Sequence, residues 1–223
     1  MNILAIDTSG KHLRLALSFG GDRLVKSDEL MEQSHGQLLM KKIGELFRSA
    51  GLRKEELNAI VICTGPGSFT GLRIGLAASK GMAVALGIEV VPVSLFEIAA
   101  QKLSAVDSEV SVVVPLKRDE FFVSEVAGGK QVSEIRVVND RELESLVNER
   151  PVVAIHFDLQ NNAGILAAND LSSAVGYDAA DMIYIGLAKL ESGYSSDLAM
   201  LEPLYVQKSQ AEIRFERRGK GEN

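Results

Sequence analysis

Three residues near the start of the chain have side chains suited to chemistry. Asp7, Thr8 and Ser9 directly follow the apolar run from Ile3 to Ile6. A carboxylate at a strand end can hold a metal-bound water, and hydroxyls and turn amides beside it can approach a phosphate. Asp and Ser are also common turn residues, because their side chains bond to nearby backbone amides. The residue types permit a phosphate-binding loop, but they favour a hairpin turn.

A second candidate site is the stretch from Gly65 to Gly75, which reads Gly-Pro-Gly-Ser-Phe-Thr-Gly-Leu-Arg-Ile-Gly. It follows Ala59 to Cys63, a β-branched run typical of a strand buried on both faces, and it precedes a predicted helix. The loop positions of interest are Gly65, Pro66, Gly67, Ser68 and Thr70. The glycines permit backbone conformations closed to other residues, the proline fixes one φ angle, and either hydroxyl can cap the helix. The first N–H groups of that helix form a possible anion site.

The sequence of this loop does not fit the common nucleotide-binding and nucleophile motifs. A Walker A loop needs Lys and then Ser or Thr after its last glycine, whereas Leu72 and Arg73 follow Gly71. The dinucleotide pattern needs glycine at position 70, which is Thr, and a nucleophile elbow needs serine at position 69, which is Phe. Taken alone, the loop predicts a tight strand-to-helix connection.

Metal ligands and nucleophiles are scarce in the sequence. The three histidines, His12, His35 and His156, form no pair at helical spacing and no HExxH motif. The one cysteine, Cys63, lies in an apolar run, so we expect a buried and unreactive thiol. Asp119 and Glu120 are adjacent in a predicted turn, which favours a solvated bend over acid–base catalysis.

Composition and charge are those of an ordinary globular protein. The 223 residues carry a net charge of −6, which gives no global reason to expect tight binding to nucleic acid. The segment from Lys208 to Lys220 is locally basic, and we expect a solvated tail there. The sequence shows no secretion signal and no membrane-spanning run. We therefore expect a protein of the reducing cytoplasm.

Hydrophobic periodicity predicts the order β-β-β-α-β-α-β-α in the first half of the chain and its repeat in the second. The predicted strands of the first half are Asn2 to Ile6, Leu13 to Ser18, Arg23 to Leu30, Ala59 to Cys63 and Glu89 to Val93. Its helices follow Ser34, run from about Leu72 to Leu86, and start near Leu95. The predicted strands of the second half are Val112 to Pro115, Phe121 to Ala127, Gln131 to Val138, Val152 to Phe157 and Leu171 to Gly176. Its helices start at Asp140 and run from Ala179 to Leu190. The repeat predicts two lobes, residues 1–105 and a smaller lobe with the basic tail at 106–223.

The predicted helix after the glycine loop has a face of small residues. Gly71, Gly75 and Ser79 recur every four residues, and most other positions are apolar. A helix that is apolar nearly all round is buried on more than one side. The small face lets a second helix approach closely, and that neighbour could belong to a partner subunit or to the same lobe. The pattern leaves both possibilities open.

Three motifs together resemble the TsaB (YeaZ) family of bacterial tRNA threonylcarbamoyladenosine (t6A) biosynthesis: Ile3 to Ser9, Ser34-His35, and Gly65 to Arg73. The likeness covers about residues 1 to 100, and Pro203-Leu-Tyr205 is similar to a further family element, Pro-x-Tyr. The resemblance implies an α/β fold, the two-lobed actin-like ATPase (ASKHA, ribonuclease H-like) class, in agreement with the duplicated βββαβαβα lobes. It also implies a partner, TsaD, which transfers threonylcarbamoyl to N6 of adenosine 37 in tRNAs reading codons that begin with A.

By this resemblance the chain is a non-catalytic subunit that binds and activates TsaD. TsaD carries a metal-binding His-x-x-x-His where this chain has Leu95 and Ala99. The expected second phosphate loop corresponds to the segment from Pro115 to Asp119, which has no glycine and departs from the family's own pattern at Pro115 and Leu116. We therefore expect residues 7–9 to be a vestigial phosphate loop, with no cofactor on the isolated chain and with ATP and metal on partner subunits.

The resemblance also sets the expected partners: TsaD in a heterodimer, TsaE transiently, a second copy of the chain when alone, and tRNA indirectly through the complex. The partner surface is expected on the first two helices, at His35, Leu39, Ile43, Phe47, Gly71, Leu72, Ile74, Gly75, Ala78, Ser79 and Met82. Gly75→Leu is expected to abolish pairing with TsaD without harming the fold. Two alternatives stay open: an autonomous actin-like ATPase or kinase using Asp7 and Thr8, and a glycoprotease-type metallopeptidase.

Overall fold

The first three strands form an antiparallel meander with a graded burial. In the computed structural model, which describes residues 1–31, 35–117, 120–155 and 174–204, β1 (Ile3–Asp7) is buried throughout. β2 (His12–Phe19) is mostly buried, and β3 (Arg23–Leu30) alternates between exposed and half-buried side chains. β2 pairs with both neighbours, and Asp7 of β1 lies opposite Arg14 of β2. This register brings an acidic and a basic side chain to the same end of the sheet.

The rest of the first half completes one mixed sheet with three helices. Its elements are α1 (His35–Ala50), a 3₁₀ turn (Lys54–Glu56), β4 (Ala59–Gly65), α2 (Phe69–Leu86), β5 (Glu89–Ser94) and α3 (Leu95–Lys102). β4 is parallel to β1 and β5, and the strand order is β3-β2-β1-β4-β5. Every residue of β4 is buried, as its continuous apolar run predicts. The glycine loop therefore starts at the carboxyl end of a central strand.

The second half repeats this pattern. Its elements are β6 (Val110–Lys117), β7 (Glu120–Ala127), β8 (Lys130–Gln131), β9 (Arg136–Asn139), α4 (Asp140–Glu149), β10 (Val152–Ile155), β11 (Ala174–Val175) and α5 (Ala179–Glu191). β7 pairs antiparallel with β6 and β9, while β10 is parallel to β6 and β11. The pairing β9-β7-β6-β10-β11 matches β3-β2-β1-β4-β5, so the predicted duplication is confirmed. The predicted boundary at residues 105 and 106 lies in the connection from α3 to β6 and stays a prediction.

One predicted strand, Gln131 to Val138, is wrong as a single element. The structure has the two short strands β8 and β9, separated by a bend around Ser133. The Ser133 hydroxyl accepts a hydrogen bond from the Glu125 backbone N–H at 2.8 Å. A side-chain oxygen thus replaces a strand carbonyl in the ladder, a competition that hydroxyl side chains often win in short strands.

Helices cover both faces of the first sheet. α1 and α2 close one face over a core that includes Leu4, Ile43 and Ile60. α3 and α5 lie on the other face, in a core shared with the second sheet. A Cβ atom at Gly186 of α5 would lie 2.2 Å from Val61 Cγ2, so this helix sits directly on β4. The segment before α5 is thereby held close to the carboxyl ends of β1 and β4.

Several predictions lie outside the described residues. They concern Ser34 before the first helix, the end of the predicted strand Val152 to Phe157, the turn at Asp119, the motif residue Tyr205 and the basic tail from Lys208 to Lys220. None of the helices in the described ranges has both the length and the apolar character needed to cross a bilayer.

An ion pair between the buried Glu125 and the partly exposed Arg136 joins β7 to β9 in the second sheet. Arg136 donates to both carboxylate oxygens of Glu125, Nη1 to Oε2 at 2.8 Å and Nη2 to Oε1 at 2.6 Å. The Ser133 hydroxyl donates to the same carboxylate. These hydrogen bonds, led by those from Arg136, lower the pKa of Glu125 to about 2. Glu125 therefore stabilises the fold only while it is ionised.

The stability of the fold should fall in acid because of this carboxylate. Since the pKa of Glu125 in the folded chain is below its ordinary value near 4.5, its contribution is complete above that value and is lost as the pH falls towards 2. We expect Glu125→Gln to cost on the order of 2 to 3 kcal/mol at pH 7 and much less at pH 3. Urea unfolding at both pH values measures the difference. The exposed Glu55→Gln variant serves as control, and a pH-independent cost for Glu125→Gln would contradict the prediction.

Candidate functional site

Asp7 closes the turn from β1 into β2. Its carboxylate is fully buried, and its Oδ1 accepts hydrogen bonds from the Ser9 backbone N–H at 2.8 Å and from the Ser9 hydroxyl at 2.6 Å. This is the local side-chain-to-backbone bonding that makes Asp a turn residue. The Asp7 side chain thus makes the hairpin turn that the sequence favours, and a phosphate-binding role for residues 7–9 stays a prediction.

The other oxygen of Asp7 is bound by residues that sequence reasoning did not single out. Tyr177 donates its hydroxyl hydrogen to Asp7 Oδ2 at 2.7 Å, and Arg14 Nη1 lies 3.5 Å from the same oxygen. Arg14 also donates to the Tyr177 hydroxyl at 3.1 Å, and its guanidinium lies 4.7 Å from the centre of the tyrosine ring. Asp7, Arg14 and Tyr177 thus form one cluster, which we name the Asp7 cluster.

Burial sets the protonation of the groups around Asp7. Burial, followed by the negative charge of Asp7, raises the pKa of Tyr177 well above its ordinary value. The same two causes raise the pKa of the Cys63 thiol, which is buried as predicted. The tyrosine therefore keeps the proton that it donates to Asp7. A protonated, buried thiol is also a poor nucleophile, as expected for Cys63.

The glycines of the loop allow it to lie against the Thr8–Ser9 turn. A Cβ atom would lie 2.2 Å from the Ser9 carbonyl oxygen at Gly67, 2.1 Å from the Thr8 carbonyl oxygen at Gly71, and 2.3 Å from Thr8 Oγ1 at Gly75. Only Gly65 has a φ angle, +100°, that favours glycine for conformational reasons. The prediction that Gly67 is needed for an unusual backbone conformation is wrong, because close approach to the turn explains it.

Hydrogen bonds fix the loop to the same turn. The Thr8 hydroxyl donates to the Gly71 carbonyl at 2.7 Å, and the Ser68 N–H donates to the Ser9 carbonyl at 2.6 Å. Ser68 is the N-cap of α2, since its hydroxyl accepts from the Gly71 N–H at 3.2 Å. The exposed Thr70 lies inside the first turn of the helix and is not its cap. Of the two predicted caps, Ser68 is the correct one.

The side chains of residues 7–9 and the glycine loop bind one another. Both oxygens of Asp7 accept hydrogen bonds from the chain itself, and the loop backbone that could cradle a phosphate packs on the turn. Leu95 and Ala99, at the positions of the TsaD histidines, are fully buried in α3. In the segment that corresponds to a second phosphate loop, the register of β6 with β7 shifts after Pro115. Within residues 1–31, 35–117, 120–155 and 174–204, no three His, Cys, Asp or Glu side chains are grouped to hold a metal ion.

The predicted partner surface on α1 and α2 divides into buried and accessible residues. The buried ones pack in the core of this chain and are Leu39, Ile43, Phe47, Gly71, Leu72, Gly75 and Ser79. The half-buried ones are Ile74, Ala78 and Met82. His35 begins α1. These buried side chains cannot contact a partner while the chain is folded. The prediction that they form the partner surface is therefore corrected.

The small face of α2 therefore faces inward, and the expectation for Gly75→Leu is also wrong. A leucine at position 75 would overlap the Thr8 side chain and disturb the fold itself. A second set of small residues lies on the outer side of α2, where Ala77 and Gly81 are exposed beside Ala78. Val84 extends this side and is 73% exposed. We call the side formed by these four residues the outer face of α2.

Two mixed sheets of the same topology, with a glycine loop and an acidic turn at the carboxyl ends of the central strands, define an actin-like ATPase fold. YeaZ from Pseudomonas aeruginosa has this fold in common with the chain, with a TM-score of 0.72 and 20% identity over 92% of this chain and 99% of that one. The likeness in structure agrees with the predicted fold class.

Sequence comparisons identify the relatives more closely. The TsaD family model, described as tRNA N6-adenosine threonylcarbamoyltransferase, matches residues 28–135. The t6A biosynthesis protein TsaB of Haemophilus influenzae is 26% identical over 211 residues, which cover 93% of this chain and 88% of the relative. TsaB of Escherichia coli is 26% identical over 228 residues, covering 95% and 96%. The predicted resemblance is confirmed: the chain is similar to the TsaB (YeaZ) proteins over nearly its whole length.

Proposed function

We propose that this chain acts in t6A biosynthesis as a non-catalytic subunit that binds TsaD and enables it to transfer threonylcarbamoyl to N6 of adenosine 37. The full-length similarity to TsaB proteins supports the pathway. The geometry at Asp7 supports a role without nucleotide chemistry on this chain, because the residues of the vestigial phosphate loop bind one another.

The observation that carries the proposal is the way α2 is held. The glycine loop anchors the inner side of α2 on the Thr8–Ser9 turn, and the outer face carries the small residues Ala77, Ala78 and Gly81 next to Val84. Small residues let a second helix approach closely, and a rigidly held apolar face loses little entropy on binding. The outer face of α2, with the neighbouring α1, is therefore the proposed docking surface for TsaD.

The same proposal assigns the other components. ATP and metal belong to partner subunits, TsaE binds transiently, and tRNA is held by the complex rather than by this chain alone. Without TsaD, two copies pair through the same outer face, since exposed apolar surfaces tend to be covered. The complex works in the cytoplasm, where its tRNA substrate resides.

Gly81→Leu should block TsaD binding while preserving the fold. A Cβ atom at Gly81 meets nothing within 4 Å in this chain, and leucine favours a helix more than glycine does. The larger side chain would hold the TsaD surface away from α2, and we expect at least a tenfold loss of affinity. Calorimetric titration with TsaD from the same organism measures it, and t6A formation with TsaD, TsaE, tRNA and ATP should fall in parallel.

The matched control is Gly81→Ala, which adds one methyl group at the same position. It should keep most of the affinity and melt at or slightly above the temperature of the wild-type chain. Wild-type affinity for the leucine variant would contradict the docking surface. Failure of the wild-type chain to bind TsaD or to support t6A formation would contradict the proposed function, and tight binding of Mg-ATP by the isolated chain would favour an autonomous ATPase.

A further inference from the structure

The Asp7 cluster links the second half of the chain to the docking helix. We propose that Tyr177 is a positioning residue: its hydroxyl, acting through Asp7 and the Thr8–Ser9 turn, holds α2 in the orientation that binds TsaD. The inference rests on the proposed function in one respect, since it takes the outer face of α2 to be the TsaD surface.

Tyr177 is fixed where the two halves of the chain meet. It lies two residues after β11 of the second sheet and directly before Asp178, the N-cap of α5. Asp178 accepts from Lys26 Nζ of β3 at 2.7 Å, and Asp181 pairs with Lys102 of α3 at 2.7 Å. These contacts place the tyrosine over the carboxyl end of β1. Its hydroxyl accepts from Arg14 and donates to Asp7, so both of its hydrogen-bonding functions are used.

The hydrogen bonds continue from Asp7 to the first turn of α2. Asp7 Oδ1 holds the Ser9 N–H and hydroxyl, the Ser9 carbonyl holds the Ser68 N–H, and the Thr8 hydroxyl donates to the Gly71 carbonyl. At Gly71 and Gly75, α2 packs directly on the turn, with no room for a Cβ atom between them. A rotation of the Asp7 carboxylate would therefore move the turn, and the turn cannot move without the start of α2.

Loss of the Tyr177 hydroxyl would release this rotation. In the wild-type chain the buried carboxylate is shared between Ser9 on one side and Tyr177 with Arg14 on the other. Without the hydroxyl, Asp7 Oδ2 loses the 2.7 Å hydrogen bond from Tyr177. Arg14 Nη1, 3.5 Å from the same oxygen, is then the donor towards which the carboxylate can turn. A buried carboxylate seeks such compensation, because an unsatisfied charge is costly to bury. Moving towards Arg14 weakens the bonds to Ser9 that fix the turn.

Tyr177→Phe tests the proposal, because it removes one oxygen and keeps the ring beside Arg14. We expect backbone amides from Thr8 to Ser9 and from Ser68 to Leu72 to exchange with deuterium at least tenfold faster. Amides of α4, in the second sheet's outer layer, should change much less. TsaD affinity should fall about tenfold. Tyr184→Phe, at a tyrosine that is 64% exposed, is the matched control and should leave exchange and affinity unchanged.

A second variant tests the same path at another step. Thr8→Val keeps the shape of the side chain and removes its hydrogen bond to the Gly71 carbonyl, so it should reproduce the local exchange increase in α2 without changing Tyr177. Unchanged exchange at Ser68 to Leu72 in Tyr177→Phe would overturn the inference, as would an equal increase across the chain or wild-type TsaD affinity. If the wild-type chain does not bind TsaD, the proposed function fails instead, and the exchange data alone decide whether Tyr177 holds α2.

Discussion

Replacing Gly71 by alanine is expected to destabilise the chain severely. The added Cβ atom would lie 2.1 Å from the Thr8 carbonyl oxygen, far inside contact distance, and the obstacle is backbone that cannot rotate away. Relief requires α2 to move off the turn, which breaks the bond from the Thr8 hydroxyl to the Gly71 carbonyl and opens the core beneath Leu72. Forced backbone shifts of this kind cost about 3 kcal/mol or more. Urea or thermal unfolding of the purified variant measures the loss.

Gly81→Ala on the same helix supplies the comparison. Its Cβ atom meets nothing within 4 Å, so only the helix preference of alanine remains, a gain of about 0.5 to 1 kcal/mol. Two identical substitutions ten residues apart should therefore act in opposite directions. If Gly71→Ala were as stable as the wild-type chain, the close packing of α2 on the Thr8–Ser9 turn would be refuted, and with it the inward orientation of the small face.

The elements of the fold follow from local sequence patterns, and this explains how well they could be predicted. The run before the glycine loop, rich in β-branched residues, gives a strand buried on both faces. Gly51, at a φ angle of +64°, directly follows the last residue of α1, the position where glycine commonly ends a helix. The error at Gln131 to Val138 has a tertiary cause. Glu125 draws Ser133 and Arg136 to itself, and a bend replaces the middle of the predicted strand.

The site could be predicted only in part, because periodicity fixes which residues share a helix face but not what that face contacts. Gly71, Gly75 and Ser79 are on one face, as their spacing requires, yet that face is buried within the chain, where both glycines meet Thr8. Arg14 could have been found from the hairpin register, which places it opposite Asp7. Tyr177 could not, since it follows the second sheet and no local pattern indicates its contact with Asp7.

These contacts bear on how the proposed docking role would be built on an actin-like fold. In the first lobe, the acidic turn and the glycine loop occupy the positions where a phosphate site would be built, but each satisfies the other. A glycine loop that packs tightly on a turn makes the following helix rigid, whether or not a ligand is present. A rigidly held α2 would favour the proposed docking, while the Ser68 N–H, one of the amides that a phosphate could use, is bound to the Ser9 carbonyl.

Asp7→Ala should cost about 3 to 5 kcal/mol of stability, the usual loss when one member of a buried ion pair is removed. The variant takes from Arg14, whose side chain is 14% exposed, its buried carboxylate partner and leaves it only the exposed Asp28, whose Oδ2 lies 3.2 Å from Arg14 Nε. It also frees the Ser9 amide and hydroxyl in a buried turn. Both effects act on the folded state, so the unfolding free energy should fall by this amount with or without Mg-ATP. Urea unfolding in both conditions measures it.

Adding Arg14→Met to Asp7→Ala distinguishes this structural role from a role in ligand binding. The methionine removes the charge that has lost its buried partner and keeps the length of the side chain beside Tyr177, so about 1 to 2 kcal/mol of the loss should return. A carboxylate kept for nucleotide or metal binding would behave differently: its removal would leave stability nearly unchanged or improve it, and Arg14→Met would rescue nothing. Asp7 has a structural role if the double variant is more stable than Asp7→Ala. Only an ion pair within this chain would make the loss of Arg14 favourable once Asp7 is absent.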